Sequence, residues 1–287
     1  MAHKGCKICG AVSASPFVEK NGFRVVKCDS CSVAFLDYDP DDDRLRQFFS
    51  EGYFESGPDL RGYESYGACE SFLTMNFERR IERLSPHVSS GRVLDLGCGY
   101  GYFLRCLGGQ YKGTGMDISE HAVKIARERF GLDVRAGVLT ESSFPPGHFS
   151  LVTMWDVIEH LPDPKSTLLN VRAVLKDDGV LAMTTGDSGS LVAKLCRGRW
   201  HLLTLPEHLW FFSERTLRNL LEATGFRVID VRREWCYYSV DYLVERLLKT
   251  LFNSRKPIQP AGEKSWLNRW AIPFNLFDVM YVVCRRR

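Results

Sequence analysis

The sequence predicts an α/β fold with a seven-stranded, mostly parallel sheet and an antiparallel last strand, preceded by a small cysteine-rich unit. Three observations support this prediction. From residue 92 onward, short apolar runs alternate with amphipathic helical segments, which is typical of βαβ units around a parallel sheet. A glycine-rich turn, GCGYG, directly follows the first of these runs. Two C-x-x-C pairs lie within the first 31 residues.

Length and composition fit one globular domain with a small addition. The chain has 287 residues, of which 45% are hydrophobic and 25% charged. It contains no apolar run of the eighteen or so residues that a membrane-spanning helix needs, and its first residues lack the apolar core of a signal peptide. We therefore expect a cytoplasmic protein, in which the ten cysteines serve as metal ligands or buried thiols rather than disulfides.

The chain divides into three predicted parts. Residues 1–36 contain short strand-like pieces, residues 37–90 combine an acidic linker with an aromatic-rich helical connector or lid, and residues 91–287 form the main domain, with a helical insertion at about 237–277. The predicted strands of the main domain are Arg92–Leu96, Tyr111–Met116, Asp133–Ala136, Phe149–Met154, Gly179–Thr184, Phe226–Trp235 and Val279–Arg285. The predicted helices are Tyr102–Leu107, Glu120–Phe130, Pro164–Leu175 and Ser213–Thr224.

The glycine-rich turn joins the first strand of this domain to its first helix. Gly97, Gly99 and Gly101 permit a sharp backbone turn and leave room for a ligand near the N–H groups of the helix that follows. Asp117 lies twenty residues after Gly97, at the end of the second strand, where a carboxylate can accept hydrogen bonds from both hydroxyls of a ribose. The pattern indicates a Rossmann-like nucleotide site, and a tight turn without a ligand is the alternative.

The spacing favours S-adenosylmethionine (SAM) over a dinucleotide. Tyr102 stands where a third Rossmann glycine is expected, and Asp95 precedes the first glycine by two residues. The segment VLDLGCGYGYFL resembles the turn of the class I SAM-dependent methyltransferases, and the resemblance covers about residues 90–287. It implies the following cofactor contacts: Asp95, Gly97, Cys98, Gly99, Gly101, Asp117, Ile118, Val138 and Trp155.

The implied contacts belong to different parts of the cofactor. In that family, the acid at Asp95 and the glycine turn serve the methionine end, Asp117 holds the ribose, and Ile118 packs on the adenine. Many members also place an acid near the adenine amine after the third strand, where this chain has Ala136, Gly137 and Val138. The sequence therefore departs from the family at the adenine end.

The loop after the fourth strand carries candidate catalytic residues. Asp156, Glu159 and His160 follow this strand, at the sheet edge where α/β proteins place their ligands. If residues 156–160 form one helical turn, the three side chains share a face. A histidine with neighbouring carboxylates can take a proton from a hydroxyl while that hydroxyl attacks the sulfonium methyl group in line.

Two other roles stay open for these side chains. Together with His208, in PEHLWFFS, they also suit a divalent cation such as Mg²⁺. The loop is similar to that of ubiquinone O-methyltransferases and of small-RNA 3′-end 2′-O-methyltransferases, in which acid-x-x-Glu-His and a distant His bind a cation that activates a hydroxyl; here Asp156 is the first acid. In the structural alternative, Glu159 caps the helix that begins near Pro162 and His160 packs under the cofactor.

An aromatic cluster follows the fifth strand, where acceptor pockets of class I methyltransferases commonly form. Its members are Trp200, His201, Trp210, Phe211 and Phe212. Aromatic faces suit sugars, quinones and nucleobases equally well. For Phe211 and Phe212, a position in the core is the alternative.

The cysteine pairs predict a structural zinc site. Cys6 and Cys9 are separated from Cys28 and Cys31 by eighteen residues, the layout of a four-thiolate Zn²⁺ ribbon. With the linker and SAM turn, this layout resembles bacterial methyltransferases of sugar and polysaccharide tailoring, including nucleotide-sugar C-methyltransferases. Those usually continue into a further domain that this chain is too short to contain, so we expect O-methylation. The other six cysteines are expected to be buried or incidental thiols.

The predicted insertion is both basic and apolar. Residues 246–287 carry nine Lys and Arg against two acids, a local charge of +7 that leaves −4 elsewhere. YLVERLLKTLF has apolar residues at helical spacing. Residues 241–287 therefore predict either a lid or dimer helix over the acceptor site, which we favour, or a helix at the inner membrane face that contacts anionic lipid.

Together the patterns predict a SAM-dependent methyltransferase that acts on a sugar hydroxyl of a nucleotide-sugar, glycan or glycolipid, as in polysaccharide biosynthesis. One alternative acceptor is a quinone or another aromatic hydroxyl. Another alternative is a SAM-binding or nucleic-acid-binding module without turnover. Residues 1–36 are only mildly basic and lack a basic stripe, so they show no clear nucleic-acid signature.

Overall fold

The amino-terminal unit is a small antiparallel sheet. The computed structural model describes residues 5–38, 70–240 and 271–287, together with residue 243. The first three strands are β1 (Ala14–Lys20), β2 (Phe23–Cys28) and β3 (Ala34–Leu36). Asn21 and Gly22 both have positive φ in the turn between β1 and β2, as is usual for Asn-Gly in a two-residue hairpin. We call residues 5–36 the amino-terminal ribbon.

A seven-stranded sheet forms the centre of the main domain, as predicted. Its strands are β4 (Gly91–Leu96), β5 (Tyr111–Asp117), β6 (Val134–Ala136), β7 (Phe149–Trp155), β8 (Leu175–Gly186), β10 (Phe226–Arg232) and β13 (Val279–Arg286). Their spatial order is β10–β13–β8–β7–β4–β5–β6. Strands β4 to β8 pair in parallel, and β13 pairs antiparallel with both β8 and β10. The predicted Rossmann-like sheet with an antiparallel last strand is confirmed.

Six α-helices are described. They are α1 (Glu70–Leu84), α2 (Tyr102–Cys106), α3 (Glu120–Phe130), α4 (Pro164–Val174), α5 (Leu191–Cys196) and α6 (Glu214–Ala223). The amino ends of α3, α4 and α6 are capped by the side chains of Ser119, Asp163 and Ser213, each of which accepts a hydrogen bond from a backbone N–H three residues later. These caps lie at the predicted helix starts, which explains why the predicted and observed bounds agree closely.

Alternate residues of the strands face two different cores. Val93 of β4 and Leu151 of β7 lie in a core shared with α1, α2 and α3. The next residues, Leu94 and Val152, lie in a core shared with α4, α6 and the amino-terminal ribbon. A sheet covered on both faces is the usual arrangement for parallel strands.

The amino-terminal ribbon is joined to the main domain by strand pairing. A two-residue strand, β9 (Trp210–Phe211), pairs antiparallel with β3 and gives the small sheet the order β1–β2–β3–β9. The rings of Phe35 and Trp210 lie 5.5 Å apart between centroids. The amino-terminal ribbon and the α4 side of the main domain therefore form one continuous core.

Among the strands that were predicted, β8 differs most from its predicted start. This strand begins at Leu175, four residues before the predicted start, because Leu175 pairs with Phe149 of β7. Residues 176–178 are polar and exposed, so they hide this start from an analysis of apolar runs.

The ends of the insertion form a second small sheet, which the sequence analysis missed. Strands β11 (Cys236–Ser239) and β12 (Ala271–Phe274) pair antiparallel. Asn76 of α1 bonds both backbone groups of Tyr237, at 3.0 and 2.7 Å. The predicted helix within 241–270 lies outside the described residues, apart from residue 243, and so does Cys69. Among the helices that are described, none has the length and hydropathy to cross a bilayer.

Candidate functional site

The loop between β4 and α2 is a sharp turn that contacts the loop after β7. Gly97, Gly99 and Gly101 have left-handed backbone conformations, with φ of 68°, 53° and 82°. A Cβ added at Gly97 would lie 2.5 Å from Cγ2 of Val157, closer than non-bonded atoms approach. Glycine at position 97 is therefore required both by the backbone and by the neighbouring loop.

Asp117, at the end of β5, holds this turn in place. Its Oδ2 accepts a hydrogen bond from the Gly99 N–H and its Oδ1 accepts one from the Ser119 N–H, both at 2.8 Å. The side chain is 7% exposed, and burial raises its pKa while the two N–H groups oppose the rise. The carboxylate thus lies beside the glycine turn, at the position predicted for the ribose acid.

Asp95, on the neighbouring strand β4, has a buried carboxyl group. It accepts a hydrogen bond from Oγ1 of Thr153 at 2.6 Å. Burial raises the pKa of Asp95 to about 7; the charge of Asp117 adds to the rise, whereas Thr153 and Arg80 oppose it. Asp95 therefore titrates near neutral pH.

The remaining predicted cofactor contacts differ in exposure. Cys98 is buried, Ile118 is half-buried, and Val138 is 59% exposed after β6. The Trp155 ring is 8% exposed and packs in the core against Phe103, with 5.4 Å between ring centroids. A contact between Trp155 and a cofactor would therefore come from its backbone rather than from its ring.

The loop after β7 and the segment before β9 bring together three of the four predicted catalytic residues. One ligand atom each from Glu159, His160 and His208 lies within 4.8 Å of the others. We call these three residues the carboxyl-edge group, because Glu159 and His160 follow the carboxyl end of β7 and His208, just before β9, lies beside them. Asp156 lies outside it: its backbone is left-handed, with φ of 55°, and the helical turn begins only at Ile158. Residues 156–160 are thus not one helical turn, and Asp156 is exposed.

Glu159 is held from the neighbouring strand. Its Oε2 accepts a hydrogen bond from Oγ1 of Thr185 at 2.9 Å, and the side chain is 4% exposed. Burial raises the pKa of Glu159 to about 8, and the charge of Asp156 adds to the rise. The alternative in which Glu159 caps the following helix is wrong, because Asp163 accepts the capping hydrogen bond from Ser166 N at 2.9 Å.

His160 has a defined tautomer. Its Nδ1 lies 2.8 Å from the carbonyl oxygen of Glu207. A carbonyl only accepts, so Nδ1 donates and the neutral ring carries its lone pair on Nε2. The ring meets His208 edge-on, with 4.6 Å between centroids, and burial lowers the pKa of His160. At neutral pH His160 is therefore in the form that accepts a proton or binds a metal.

The aromatic cluster is mainly part of the core. Trp200, Trp210, Phe211 and Phe212 are at most 4% exposed, so the core alternative for Phe211 and Phe212 is confirmed. Trp200 Nε1 donates to Oδ2 of Asp278 at 2.8 Å. Nδ1 of His201, the member of the cluster that is half-buried, lies 3.5 Å from the same oxygen.

Three groups at the carboxyl edge were missed by the sequence analysis. They are the Thr185 hydroxyl, the Glu207 carbonyl and the Asp278 carboxylate. Thr185 lies at the carboxyl end of β8, so the rule that ligands bind at this edge could have identified it. Asp278 is 2% exposed. It belongs to no motif that the sequence analysis recognised, so nothing in the sequence indicated its contacts.

The two cysteine pairs have the same local geometry. The Cys6 carbonyl accepts the Gly10 N–H at 2.7 Å, and the Cys28 carbonyl accepts the Ser32 N–H at 2.9 Å. Gly10 and Ser32 both have positive φ. Each pair is therefore a tight turn that directs its two sulfurs to the same side.

The four thiols fit a tetrahedral zinc ion. The Sγ atoms of Cys6 and Cys31 are 3.7 Å apart, those of Cys9 and Cys28 are 3.5 Å apart, and all four lie within 4.8 Å of one another. Zinc–sulfur bonds of the usual length place tetrahedral sulfurs about 3.8 Å apart. Among the remaining cysteines that the structure describes, Cys98, Cys236 and Cys284 are buried and the other two are half-buried.

Comparison with known proteins gives one family match. A family model described as a methyltransferase domain matches residues 70–231, more than half of the chain. A crystal structure of a SAM-dependent methyltransferase from Thermotoga maritima superimposes with a TM-score of 0.55 at 20% identity. It covers 84% of this chain and 99% of that one, which shows a shared fold.

Several of the similar curated sequences share one name. The ubiquinone biosynthesis O-methyltransferase of Bordetella pertussis is 33% identical over 114 residues, 37% of this chain and 46% of that protein. The mitochondrial ubiquinone biosynthesis O-methyltransferase of Schizosaccharomyces pombe is 30% identical over 180 residues, 55% of this chain and 63% of that protein. The chain thus spans about half the length of these relatives.

Proposed function

The chain belongs to the methyltransferase-domain family, and from that premise we propose that it transfers the methyl group of SAM to a hydroxyl of a small-molecule acceptor. The glycine turn and Asp117 support the SAM part of this proposal. They lie together at the carboxyl ends of β4 and β5, and the N–H of Gly99 donates to Asp117 directly. Asp95, Cys98, Ile118, Val138 and the Trp155 backbone are the further proposed contacts.

The observation that carries hydroxyl chemistry is the carboxyl-edge group. It contains a buried carboxyl, a neutral imidazole with a fixed tautomer and a second imidazole, all within 4.8 Å. Val157, two residues before Glu159, contacts the glycine turn at Gly97. The group therefore borders the proposed methyl donor.

Each side chain of the group has a proposed role. SAM supplies a sulfonium-activated methyl group when it is bound. His160 takes the hydroxyl proton on Nε2, so that the acceptor oxygen bonds to the methyl carbon as the carbon–sulfur bond breaks. The Glu159 carboxyl, whose pKa burial raises to about 8, is mainly protonated at neutral pH and lies beside both imidazoles as a neutral hydrogen-bonding group. His208 packs edge-on against His160 and fixes its ring.

A cation is the alternative activator of the hydroxyl. Glu159, His160 and His208 supply one carboxylate and two imidazoles, a set that suits first-row transition metals better than Mg²⁺, which prefers oxygen ligands. The donation from His160 Nδ1 to a backbone carbonyl is the usual support for a metal-binding imidazole. The Mg²⁺ prediction has no support in this donor set.

An aromatic hydroxyl is the acceptor class that we favour. Relatives at 30–33% identity are named for ubiquinone biosynthesis, whereas no comparison supports the predicted sugar acceptor or a role in polysaccharide biosynthesis. A module without turnover is disfavoured, because the chain belongs to the methyltransferase-domain family and the carboxyl-edge group places two imidazoles beside a carboxyl.

The test is transfer from methyl-labelled SAM to purified catechols, to sugar nucleotides and to fractionated extract. We expect label in the aromatic fraction, and loss of transfer in His160→Ala with SAM binding retained. His87→Ala is the matched control, since His87 precedes β4 at the opposite edge of the sheet. Label confined to sugars would overturn the acceptor class, and SAM binding with no transfer to any fraction would overturn the activity.

A further inference from the structure

The amino-terminal ribbon pairs with the segment that carries His208. In the β3–β9 pair, Ala34 is opposite Phe211 and Phe35 is opposite Trp210. The Leu36 N–H extends this pairing by donating to the Leu209 carbonyl at 2.8 Å. Strand β3 of the amino-terminal ribbon thus ends opposite Leu209, which is the residue next to His208 in the chain.

The opposite side of the same segment bonds the loop after β7. The Leu209 N–H donates to the Glu159 carbonyl at 2.8 Å, and Trp210 Nε1 donates to the Leu161 carbonyl at 2.7 Å. Leu209 is therefore bonded on one side to Leu36 and on the other side to Glu159. Residues 209–211 lie between the amino-terminal ribbon and the carboxyl-edge group.

A second contact holds the earlier part of this segment. Lys20, at the end of β1, donates from Nζ to the Leu203 carbonyl at 2.7 Å, and Glu207 attracts its charge. The Glu207 carbonyl in turn accepts from His160 Nδ1. The amino-terminal ribbon thus contacts both ends of the segment 203–209, which supplies His208 and the partner that fixes the His160 tautomer.

The position of β3 depends on the four cysteines. Cys28 ends β2 and Cys31 lies three residues before β3, so the second cysteine turn connects the two strands directly. Although β2 and β3 share the core of the main domain, the turn between them is held in one arrangement by what its cysteines bind. A cation held by the four thiols would fix the position of β3. Because β3 pairs with β9, it would also fix the segment 203–209 that precedes β9.

From these contacts we propose that the metal-loaded amino-terminal ribbon is a positioning element for the carboxyl-edge group. It places His208 and the Glu207 carbonyl against Glu159 and His160, so that loss of the ribbon metal slows methyl transfer without weakening SAM binding. This inference rests on the proposed function for its kinetic consequence, whereas its structural consequence is independent of that function.

The kinetic test uses Phe35→Leu, which loosens the ring contact with Trp210. Phe17→Leu is the matched control, because Phe17 is 52% exposed on the outer strand β1. We expect kcat to fall about tenfold in Phe35→Leu, with an unchanged Kd for SAM, and to stay unchanged in Phe17→Leu. In a His208→Ala background, Phe35→Leu should have little further effect, since the two changes act on one group. The proposal would be overturned if Phe35→Leu and Phe17→Leu lowered kcat equally. It would also be overturned if Phe35→Leu lowered kcat by the same factor with and without His208→Ala.

The structural test measures amide hydrogen exchange in the intact protein before and after a zinc chelator removes the metal. We expect faster exchange at Leu209, and unchanged exchange in α3 (Glu120–Phe130) with SAM affinity retained. Unchanged exchange at Leu209 after metal loss, or a parallel loss of protection in α3, would overturn the proposal. If the wild-type protein binds SAM but transfers no methyl group, the proposed function fails and this exchange result still decides the role of the amino-terminal ribbon.

Discussion

The two halves of the carboxyl edge are built in different ways. The cofactor half, at β4 and β5, consists of neighbouring strands and a short turn, and the Asp117 carboxylate joins the Gly99 N–H of this turn to the Ser119 N–H after β5. The acceptor half, at β7 and β8, brings together Glu159 and His160 with Thr185, the Glu207 carbonyl and residues of the amino-terminal ribbon. A site made of local contacts should tolerate distant changes, whereas a site made of remote segments should depend on each of them.

The largest effect is expected on the acceptor side, from His160→Ala. Removal of the proposed base should lower kcat by roughly 10³-fold, within the range typical for general-base catalysis. The Kd for SAM should change less than about twofold, because the hydrogen bonds that hold the cofactor half are made by Asp117 with Gly99 and Ser119. Steady-state kinetics and calorimetric titration with SAM measure both quantities. A kcat close to that of wild type would remove the chemical role of His160.

The next effect is expected on the cofactor side, from Asp117→Asn. An asparagine can accept only with its oxygen, so one of the buried N–H groups of Gly99 and Ser119 loses its partner. The Kd for SAM should rise about tenfold to a hundredfold, while turnover at saturating SAM falls little. Asp178→Asn, at an exposed position, is the matched control. Equal SAM affinity in Asp117→Asn and wild type would contradict the assignment of the ribose acid.

The same contrast explains what the sequence could predict. The glycine turn, the strands of the main sheet and three capped helices follow from local spacing and periodicity, so their positions were predicted closely. The structure brings His208 close to Glu159 and His160, whereas Asp156, with its left-handed backbone, is not among the three ligand groups that lie within 4.8 Å of one another. Thr185, the Glu207 carbonyl and strand β9 were missed, because their roles arise from pairing between segments far apart in the chain.

A smaller effect is expected when the cysteine site is broken by Cys31→Ser. Metal content, measured by atomic emission, should fall below that of wild type because one of the four ligands is lost. The melting temperature should drop by several degrees, and kcat should fall while the Kd for SAM is kept. Cys196→Ser is the control, since Cys196 lies outside the cysteine cluster. A full metal content in Cys31→Ser would argue against zinc coordination by Cys31.

The last effect concerns the pH dependence of stability on the cofactor side. Burial raises the pKa of Asp95 to about 7 in the folded protein, above its ordinary value of 3.8. Between pH 3.8 and pH 7 the carboxyl of Asp95 is protonated in the folded state and ionised in the unfolded state. The free energy of unfolding therefore has its full contribution from Asp95 below pH 3.8 and loses it as the pH rises through 7. In Asp95→Asn this component should vanish, which denaturant unfolding without SAM at pH 5 and 8 can measure. An unchanged pH slope would show that Asp95 is ionised throughout this range.

The most direct test of the separation between the two halves measures SAM affinity and single-turnover methyl transfer on the same preparations of His160→Ala and Asp117→Asn. We predict opposite results: His160→Ala binds SAM normally and transfers slowly, whereas Asp117→Asn binds SAM weakly and transfers at a nearly normal rate once SAM is saturating. If both variants lose affinity and transfer rate together, the two halves are not separate, and the assignment of the carboxyl-edge group to hydroxyl activation is contradicted.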